Sequence, residues 1–143
     1  MASKLYGQFL SQALNKEIDW DTDTIKVALL TNSYTPDQDA HNYLDDVVAN
    51  EVSGTGYTAG GLTLSNKSNS YNSGTNVIVL DADDVTWSSS TITARYAVVY
   101  ASTGTASTSP LIGYVDFGSD QSSTNGNFTI TWDSTGIVRV TVA

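Results

Sequence analysis

The stretch Ile92–Tyr100, which reads ITARYAVVY, decides the fold class. Alternate residues in it are apolar and share one side of an extended chain: Ile92, Ala94, Tyr96, Val98 and Tyr100. The last residues are apolar on both sides. A period of two predicts a β-strand, and the continuous apolar end predicts that the strand becomes buried on both faces.

Alternating runs of this kind recur along most of the chain. Strands are predicted near 25–31, 62–68, 76–81, 84–87, 91–100, 111–117, 127–132 and 137–142. Turn-forming residues separate them, in the clusters Asn72–Gly74, Gly104–Pro110, Asn125–Gly126 and Ser134–Gly136. Short strands at this spacing predict a mostly β protein, an antiparallel β-sandwich or small barrel with one or two short N-terminal helices.

The pair Asn125–Gly126 stands directly before a second alternating row. Phe128, Ile130 and Trp132 fall on one side of that row. Asn-Gly between alternating segments predicts a hairpin turn. The shared side with Phe128 and Ile130 predicts that Trp132 is a core residue.

Two segments before residue 50 have helical patterns. Apolar residues at i, i+4 spacing (Leu5, Phe9, Ala13 and Tyr6, Leu10, Leu14) predict an N-terminal helix with Ser3 as its N-cap and Lys16 near its end. Thr35-Pro36-Asp37-Gln38 has the form of a capping box with proline at the first helical position. It predicts a second helix from Thr35 to about Val48.

Composition limits the classes of function. The 143 residues contain no cysteine, one histidine and a net charge of −9. They predict a single β-rich domain over residues 1–143, without disulfides, thiolate catalysis or cysteine-bound zinc. The six basic residues are scattered, which argues against nucleic acid and anionic membranes as partners. Polar residues interrupt the N-terminal apolar positions, so neither a signal peptide nor a membrane span is expected.

Two motifs resemble ligand-binding loops without meeting their requirements. Gly54-Thr55-Gly56-Tyr57-Thr58-Ala59 matches a loose dinucleotide fingerprint, but a helix is expected before it and a strand after it, the reverse of what the motif needs. The prediction is a flexible surface loop. Asp19, Asp21 and Asp23 resemble the start of a calcium loop, although an EF-hand would require glycine and glutamate at Thr24 and Leu30. The alternatives are a solvated acidic turn or a different calcium site shared with Asp81, Asp83 or Asp84.

Candidates for catalysis and sugar binding are few. His41 is the single imidazole, no Gly-x-Ser-x-Gly elbow accompanies it, and Asp39 and Asp45 are its acidic neighbours in sequence. A pair of glycosidase carboxylates is not a local motif, and the sequence singles none out. Trp20, Trp87 and Trp132 are candidates for stacking on a glycan, with core packing as the competing interpretation. No catalytic, cofactor-binding or metal-binding residue is therefore assigned, and a non-enzymatic protein without a cofactor is expected.

Three segments together resemble small structural proteins of tailed bacteriophages. They are Ile25–Leu30 followed by Ser33–Pro36, then Glu51–Gly61, and then Ser90–Tyr100 followed by Pro110–Gly118. The resemblance covers nearly the whole chain. Its motifs are typical of a fold and carry over no active-site residue.

The resemblance implies a multi-copy, non-enzymatic role in the virion. The first expectation is a capsid decoration or cement protein on the outside of the capsid, with the major capsid protein as partner and a homo-dimer or homo-trimer as assembly state. The alternatives are a tail or fibre-associated protein, or a carbohydrate-binding module. Met1–Tyr6 and the Gly54–Gly61 loop are the expected contact segments, because termini and glycine-rich loops are free to order on a partner.

Overall fold

The computed structural model describes residues 2–142, and its strands form two antiparallel sheets. The larger sheet has five strands in the order β1-β7-β6-β2-β3. The smaller sheet has three, in the order β4-β5-β8. The strands are β1 Ala2–Leu5, β2 Thr24–Leu30, β3 Leu62–Thr63, β4 Ser68–Asn72, β5 Val77–Asp81, β6 Val85–Ser102, β7 Leu111–Ile130 and β8 Val138–Thr141. This arrangement confirms the mostly β, sandwich-like fold.

Both faces of the five-stranded sheet are covered around β2. One face packs against the small sheet in a core that includes Ile25, Leu29, Leu80 and Val138. The other face packs against the segment between β2 and β3, which contributes Tyr34, Leu44 and Val47. Strand β2 lies between the two cores and is buried on both sides from Val27 to Leu30. This double burial explains why its sequence is continuously apolar rather than alternating.

A bulge divides the decisive strand β6 into two halves. Ala94 pairs with Gln121 and Tyr96 pairs with Asp116, so β7 has extra residues opposite Arg95. Before the bulge, Ile92 and Ala94 face the core under the small sheet, whereas beyond it Ala97, Val99 and Ala101 face that core. The prediction that one row of side chains continues to Tyr100 is therefore wrong after Ala94. Tyr96, Val98 and Tyr100 face the core on the other side of the sheet, under the segment between β2 and β3. Four residues of β7, 117–120, lie opposite Arg95 alone, and at this irregularity the side chains of β6 change from one face of the sheet to the other. The predicted burial of both faces is confirmed.

Asn125–Gly126 is not a hairpin, which corrects the prediction. It lies inside β7, where Gly126 pairs with Ser90, and the chain reverses instead at the predicted 104–110 cluster. Asn125 and Ser89 have φ angles of 46° and 50° and mark two compensating register shifts in the paired strands. The buried Ser90 Oγ lies 3.0 and 3.1 Å from the carbonyl oxygens of Trp87 and Gly126, so its single proton is shared between two acceptors at the bulges. Asn-Gly supplies positive φ for a turn or for a bulge, and pairing of the long strands selects the bulge.

The N-terminal helix exists but is shorter than predicted. It is α1, Phe9–Leu14, and it has no side-chain cap. The predicted N-cap Ser3 lies in β1 and pairs with Val115. The first residues form a strand rather than a helical turn because β7 offers them an unpaired edge, and main-chain bonds to that edge outweigh local helical preference.

The second predicted helix, Thr35 to Val48, is wrong. The segment contains only two 3₁₀ turns, Leu44–Asp46 and Val48–Asn50. Asp37 forms a local turn instead, because its carboxylate accepts the backbone N–H groups of Asp39 and Ala40 at 3.1 and 2.9 Å. A short aspartate side chain competes with helical hydrogen bonds in this way. The segment acts as an irregular cover over one face of the large sheet.

A candidate binding cleft

A cleft of about 740 Å³ lies on one open side of the sandwich. It lies between β1 and β7 of the large sheet and the segment from Thr131 to Arg139 that leads into β8. β1 and β8 are the edge strands of their sheets. The cleft therefore opens where two sheet edges face each other. Its volume is in the range of ligand-binding pockets.

Aromatic and aliphatic side chains line the inside of the cleft. Phe117 and Phe128 lie with ring centroids 6.1 Å apart, and Phe128 belongs to the buried core. Ile130, Trp132 and Ile137 continue this apolar lining. Phe117, Trp132 and Ile137 are only partly buried. The lining is thus an extension of the core that remains open to solvent.

The wall formed by Trp132–Gly136 is fixed by hydrogen bonds. The Trp132 indole N–H donates to the backbone oxygen of Asp83 at 3.0 Å, and its backbone N–H donates to the Asp84 carboxylate at 2.9 Å. Asp133 accepts the hydroxyl and backbone N–H of Thr135 at 2.6 and 2.8 Å. The Thr135 bonds, with a contribution from the charge of Arg139, hold the pKa of Asp133 below its usual range. The wall is preorganised rather than assembled by a ligand.

Two cations line the cleft in a strongly acidic chain. Lys4 on β1 and Arg139 on β8 are exposed cleft residues, and Asp133 is the one acidic residue among those that line it. Within residues 2–142, the single ion pair closer than 4.0 Å joins Arg95 to Asp116, so neither cleft cation has such a partner there. Lys4 and Arg139 bring two positive charges, and Asp133 one negative charge, to the lining residues of a protein with net charge −9. Sequence reasoning missed this site because its residues come from the edges of two sheets and share no motif.

The glycine-rich loop, predicted to be a flexible surface loop, packs against the large sheet and is hydrogen-bonded there. The Glu51 carboxylate accepts the Tyr57 hydroxyl and the Gly60 N–H, both at 2.6 Å, and Tyr100 donates to the Gly60 oxygen at 2.6 Å. Gly61 has a φ of 76°, and a Cβ there would lie 1.7 Å from the Val27 oxygen. Glycine is required because the loop backbone lies directly on β2. The loop precedes a two-residue strand rather than a helix, so it lacks the frame of a dinucleotide site.

His41 belongs to a hydrogen-bonded group of tyrosines. The Tyr6 and Tyr34 hydroxyls are 2.8 Å apart, and the Tyr34 hydroxyl lies 3.0 Å from His41 Nδ1. The Asp37 N–H also donates to this nitrogen at 3.3 Å, so His41 Nδ1 is an acceptor and the proton resides on Nε2. Burial raises the pKa of Tyr34 to about 12. These bonds attach the irregular cover to the N-terminal segment. Within residues 2–142 the hydrogen-bond partners of the ring are Tyr34 and Asp37, and not the acids Asp39 and Asp45.

The acidic residues considered for calcium serve as local structural acceptors. The Asp19 carboxylate accepts the N–H groups of Asp21 and Thr22 at 3.1 and 3.2 Å. Asp83 accepts Ser65 and Asn66 side chains, in a different part of the fold. Over residues 2–142, no three histidine, aspartate or glutamate side chains come together in a way that would hold a metal ion. The geometry corresponds to the solvated acidic turn.

The three tryptophans occupy different environments. Trp20 and Trp87 are 4% and 2% exposed, which removes their faces from any glycan. Phe128 and Ile130 are core residues, as predicted. Trp132 lies after the end of β7 and is only partly buried against that core, so its predicted core position is correct in part. It is the tryptophan that lines the cleft.

Among residues 2–142, no helix has both the length and the apolar character needed to cross a membrane. Comparisons with protein-family models, curated proteins and solved structures give no match to this chain.

Proposed function

We propose that this chain is a structural protein of a tailed-bacteriophage virion, and specifically a decoration or cement protein on the capsid exterior. The observation that carries the proposal is the place where the three phage-like segments meet. In the middle segment, the Tyr57 hydroxyl accepts the Leu29 N–H of the first segment, and the Gly60 carbonyl accepts the Tyr100 hydroxyl of the third. Glu51 joins these two residues by accepting the Tyr57 hydroxyl and the Gly60 N–H. The resemblance therefore rests on residues that interlock in space, which supports a shared fold rather than chance similarity of separate strands.

The chemistry of the candidate residues supports a non-enzymatic role. His41 accepts bonds that secure a surface segment, and Asp19, Asp83 and Asp133 accept local hydrogen bonds. These side chains accept hydrogen bonds that hold local structure. We propose that the protein works by binding rather than by catalysis.

The proposed mechanism is reinforcement of the assembled capsid. The partner is the major capsid protein, and the chain binds as a dimer or trimer where several capsid subunits meet. Binding to the assembled state, and not to free or distorted subunits, stabilises that state by mass action. Tyr6 is buried and the Gly54–Gly61 loop is held against the sheet, so within the two expected contact segments the edge of β1, Ala2–Leu5, is the part we retain. The cleft beside β1 is added to it as a candidate contact surface.

The proposal is tested on virions of the phage that carries the gene. Mass spectrometry of purified virions should detect the protein in many copies, and electron microscopy with labelled protein should locate it on the outside of the head. Particles assembled without it should lose their contents at a lower temperature, and added purified protein should restore the original resistance. A location inside the head, on the tail or fibre, or absence from the virion would contradict the proposal.

A further inference from the structure

The second half of β7 has a free edge. β6 pairs with one side of Gln121–Ile130, but β1 covers the other side of β7 only from Gly113 to Asp116. No other strand within residues 2–142 pairs with β7. Natural sheets commonly protect such edges with charged residues, proline or bulges. Gln121–Ile130 contains no charged residue or proline, and it has one bulge, at Asn125–Gly126. The unpaired main-chain groups on either side of this bulge are a template for another strand.

The vacant position continues the line of β1. Ala2 pairs with Asp116 and Leu5 pairs with Gly113, in antiparallel register. A segment that prolonged this line past Ala2 would therefore run beside the residues that follow Asp116. At this edge of the large sheet β1 pairs only with Gly113–Asp116, so a second strand could pair with β7 in line with β1.

The cleft lies at this free edge. Residues Gln121, Ser122 and Asn127–Ile130 of β7 line it together with Phe117 and Trp132. A strand added to the edge would place every second side chain on the cleft side, because side chains alternate along a strand. Apolar side chains at those positions would cover the partly exposed ring of Phe117 and the indole of Trp132.

We propose that the β7 edge and the cleft together bind an extended polypeptide segment of a partner, which adds a strand to the large sheet. Main-chain hydrogen bonds to Gln121–Ile130 would supply affinity, and the cleft would select alternating apolar side chains. Carboxylates on the segment would meet Lys4 and Arg139, the two cleft cations that lack an ion-pair partner within residues 2–142. The occupant is therefore an acidic and apolar segment. The inference is independent of whether the protein belongs to a virion.

Charge favours a different chain over a second copy of this one. Two copies would each bring a net charge of −9 to the contact. Pairing of two Gln121–Ile130 edges would bring no carboxylate from those edges to Lys4 or Arg139, because the edge has no charged residue. A glycan could contact Trp132 and Asn127 but would leave the main-chain edge of β7 without its regular partners.

The test uses the full-length protein and a synthetic probe. The probe is a peptide of roughly ten residues that alternates Val or Ile with Glu and Thr, long enough to span the free edge. The control peptide has the same sequence with four internal N-methyl groups, two on each edge of the strand, so that neither edge can pair fully. We expect the probe to shift the amide signals of Gln121–Ile130 in nuclear magnetic resonance spectra, and the N-methylated peptide to leave them unchanged.

Charge variants provide the second arm of the test. Arg139→Glu should weaken binding of the probe about tenfold, since it replaces an attraction by a repulsion at the rim of the cleft. Lys16→Glu changes the net charge equally at an exposed site outside the cleft and should leave the affinity within about twofold. Both variant proteins should keep the wild-type amide spectrum without peptide.

Several results would overturn the proposal. Equal binding of the N-methylated peptide would show adsorption without strand addition, and equal effects of the two charge variants would show a general charge effect. If the probe peptide does not bind at millimolar concentration, the β7 edge and the cleft are not a site for an acidic and apolar extended segment. Concentration-dependent shifts of the same amides without probe would assign the edge to a second copy, and shifts produced by a glycan would assign the cleft to carbohydrate.

Discussion

The two halves of the β6–β7 hairpin have the same pairing but different surroundings. In the half formed by Tyr96–Ser102 and Leu111–Asp116, further strands pair on both sides, and both sheet faces are buried. The half formed by Val85–Ala94 and Gln121–Ile130 buries one face and presents an exposed row of hydroxyl and amide side chains on the other. The first half holds the fold together, and the second half offers an edge. The bulge at Arg95 separates these two roles.

The largest expected effect is at Gly61, beside the enclosed half. Gly61→Ala would place a methyl group 1.7 Å from the Val27 oxygen at a φ of 76°, so the loop must separate from β2. We expect a loss of more than about 4 kcal/mol in the free energy of unfolding, the range reserved for disrupted packing. Urea denaturation measures it.

The matched control is Gly118→Ala in the bulge of β7. Gly118 has a similar φ of 84°, but no atom lies within 4 Å of the Cβ position. Only the backbone penalty of roughly 1–2 kcal/mol should remain. Equal losses for Gly61→Ala and Gly118→Ala would show that close packing of the loop does not matter.

The second effect compares two isoleucines near opposite ends of β7. Ile112 is 0% exposed and lies in the enclosed half, whereas Ile130 is 6% exposed and is the last residue of the strand. Both residues line the cleft. Ile112→Ala should cost about 3–5 kcal/mol and Ile130→Ala about 2–3 kcal/mol, because the end of a strand can relax around a cavity more than its enclosed part. Thermal and urea unfolding of both variants should rank them in this order. The reverse order would contradict the division between the halves.

The sequence predicted the fold class because it depends on hydrophobic period, which Ile92–Tyr100 displays clearly. It did not predict where strands end. Ser88–Ser90 and Asn125–Gly126 have the residues of turns, but long-range pairing of β6 with β7 converts them to bulges. Local chemistry permits a positive φ without specifying whether the chain reverses.

The second helix failed for a related reason. The capping-box pattern at Thr35 is a local signal, whereas Asp37 and the burial of Tyr34, Leu44 and Val47 against the sheet favour an irregular path. The cleft could not be predicted at all. It exists where β1, β7 and β8 leave two edges unpaired, and only the topology brings those edges together.

A third, intermediate effect concerns the hydroxyl that connects the loop to the enclosed half. The Tyr57 hydroxyl donates to Glu51 at 2.6 Å and accepts the Leu29 N–H at 3.0 Å. Burial, together with the bond to Glu51, raises the pKa of Tyr57 well above its usual value, so this hydroxyl stays protonated. Tyr57→Phe leaves the Leu29 N–H without its acceptor and should cost about 1–3 kcal/mol.

The control for Tyr57 is Tyr71→Phe. Tyr71 is 57% exposed and its hydroxyl bonds to Asn76, which water can replace. Tyr71→Phe should lower the free energy of unfolding by no more than about 0.5 kcal/mol. A comparable loss at Tyr71 would mean that the enclosed position of Tyr57 adds nothing to the value of its hydrogen bonds.

The smallest effect is at the boundary between the halves, where Arg95 Nε lies 2.7 Å from Asp116 Oδ1. The bond from Arg95, with a second from the Gly118 N–H, holds the pKa of Asp116 below its ordinary value. A carboxyl with a lowered pKa in the folded state contributes stability above its unfolded pKa, near 3.9, and loses it as the pH falls through the folded pKa. Arg95→Gln should therefore raise the Asp116 titration midpoint, measured by nuclear magnetic resonance of its carboxyl carbon. It should reduce stability at pH 6 slightly and leave stability below the folded pKa nearly unchanged, because the protonated carboxyl no longer attracts the cation.

The amides of Gln121–Ile130 should keep their hydrogen-exchange rates in Arg95→Gln, since the backbone bulge and not the ion pair separates the two halves. Faster exchange confined to Gln121–Ile130 would instead assign the pair a role in ordering the free edge.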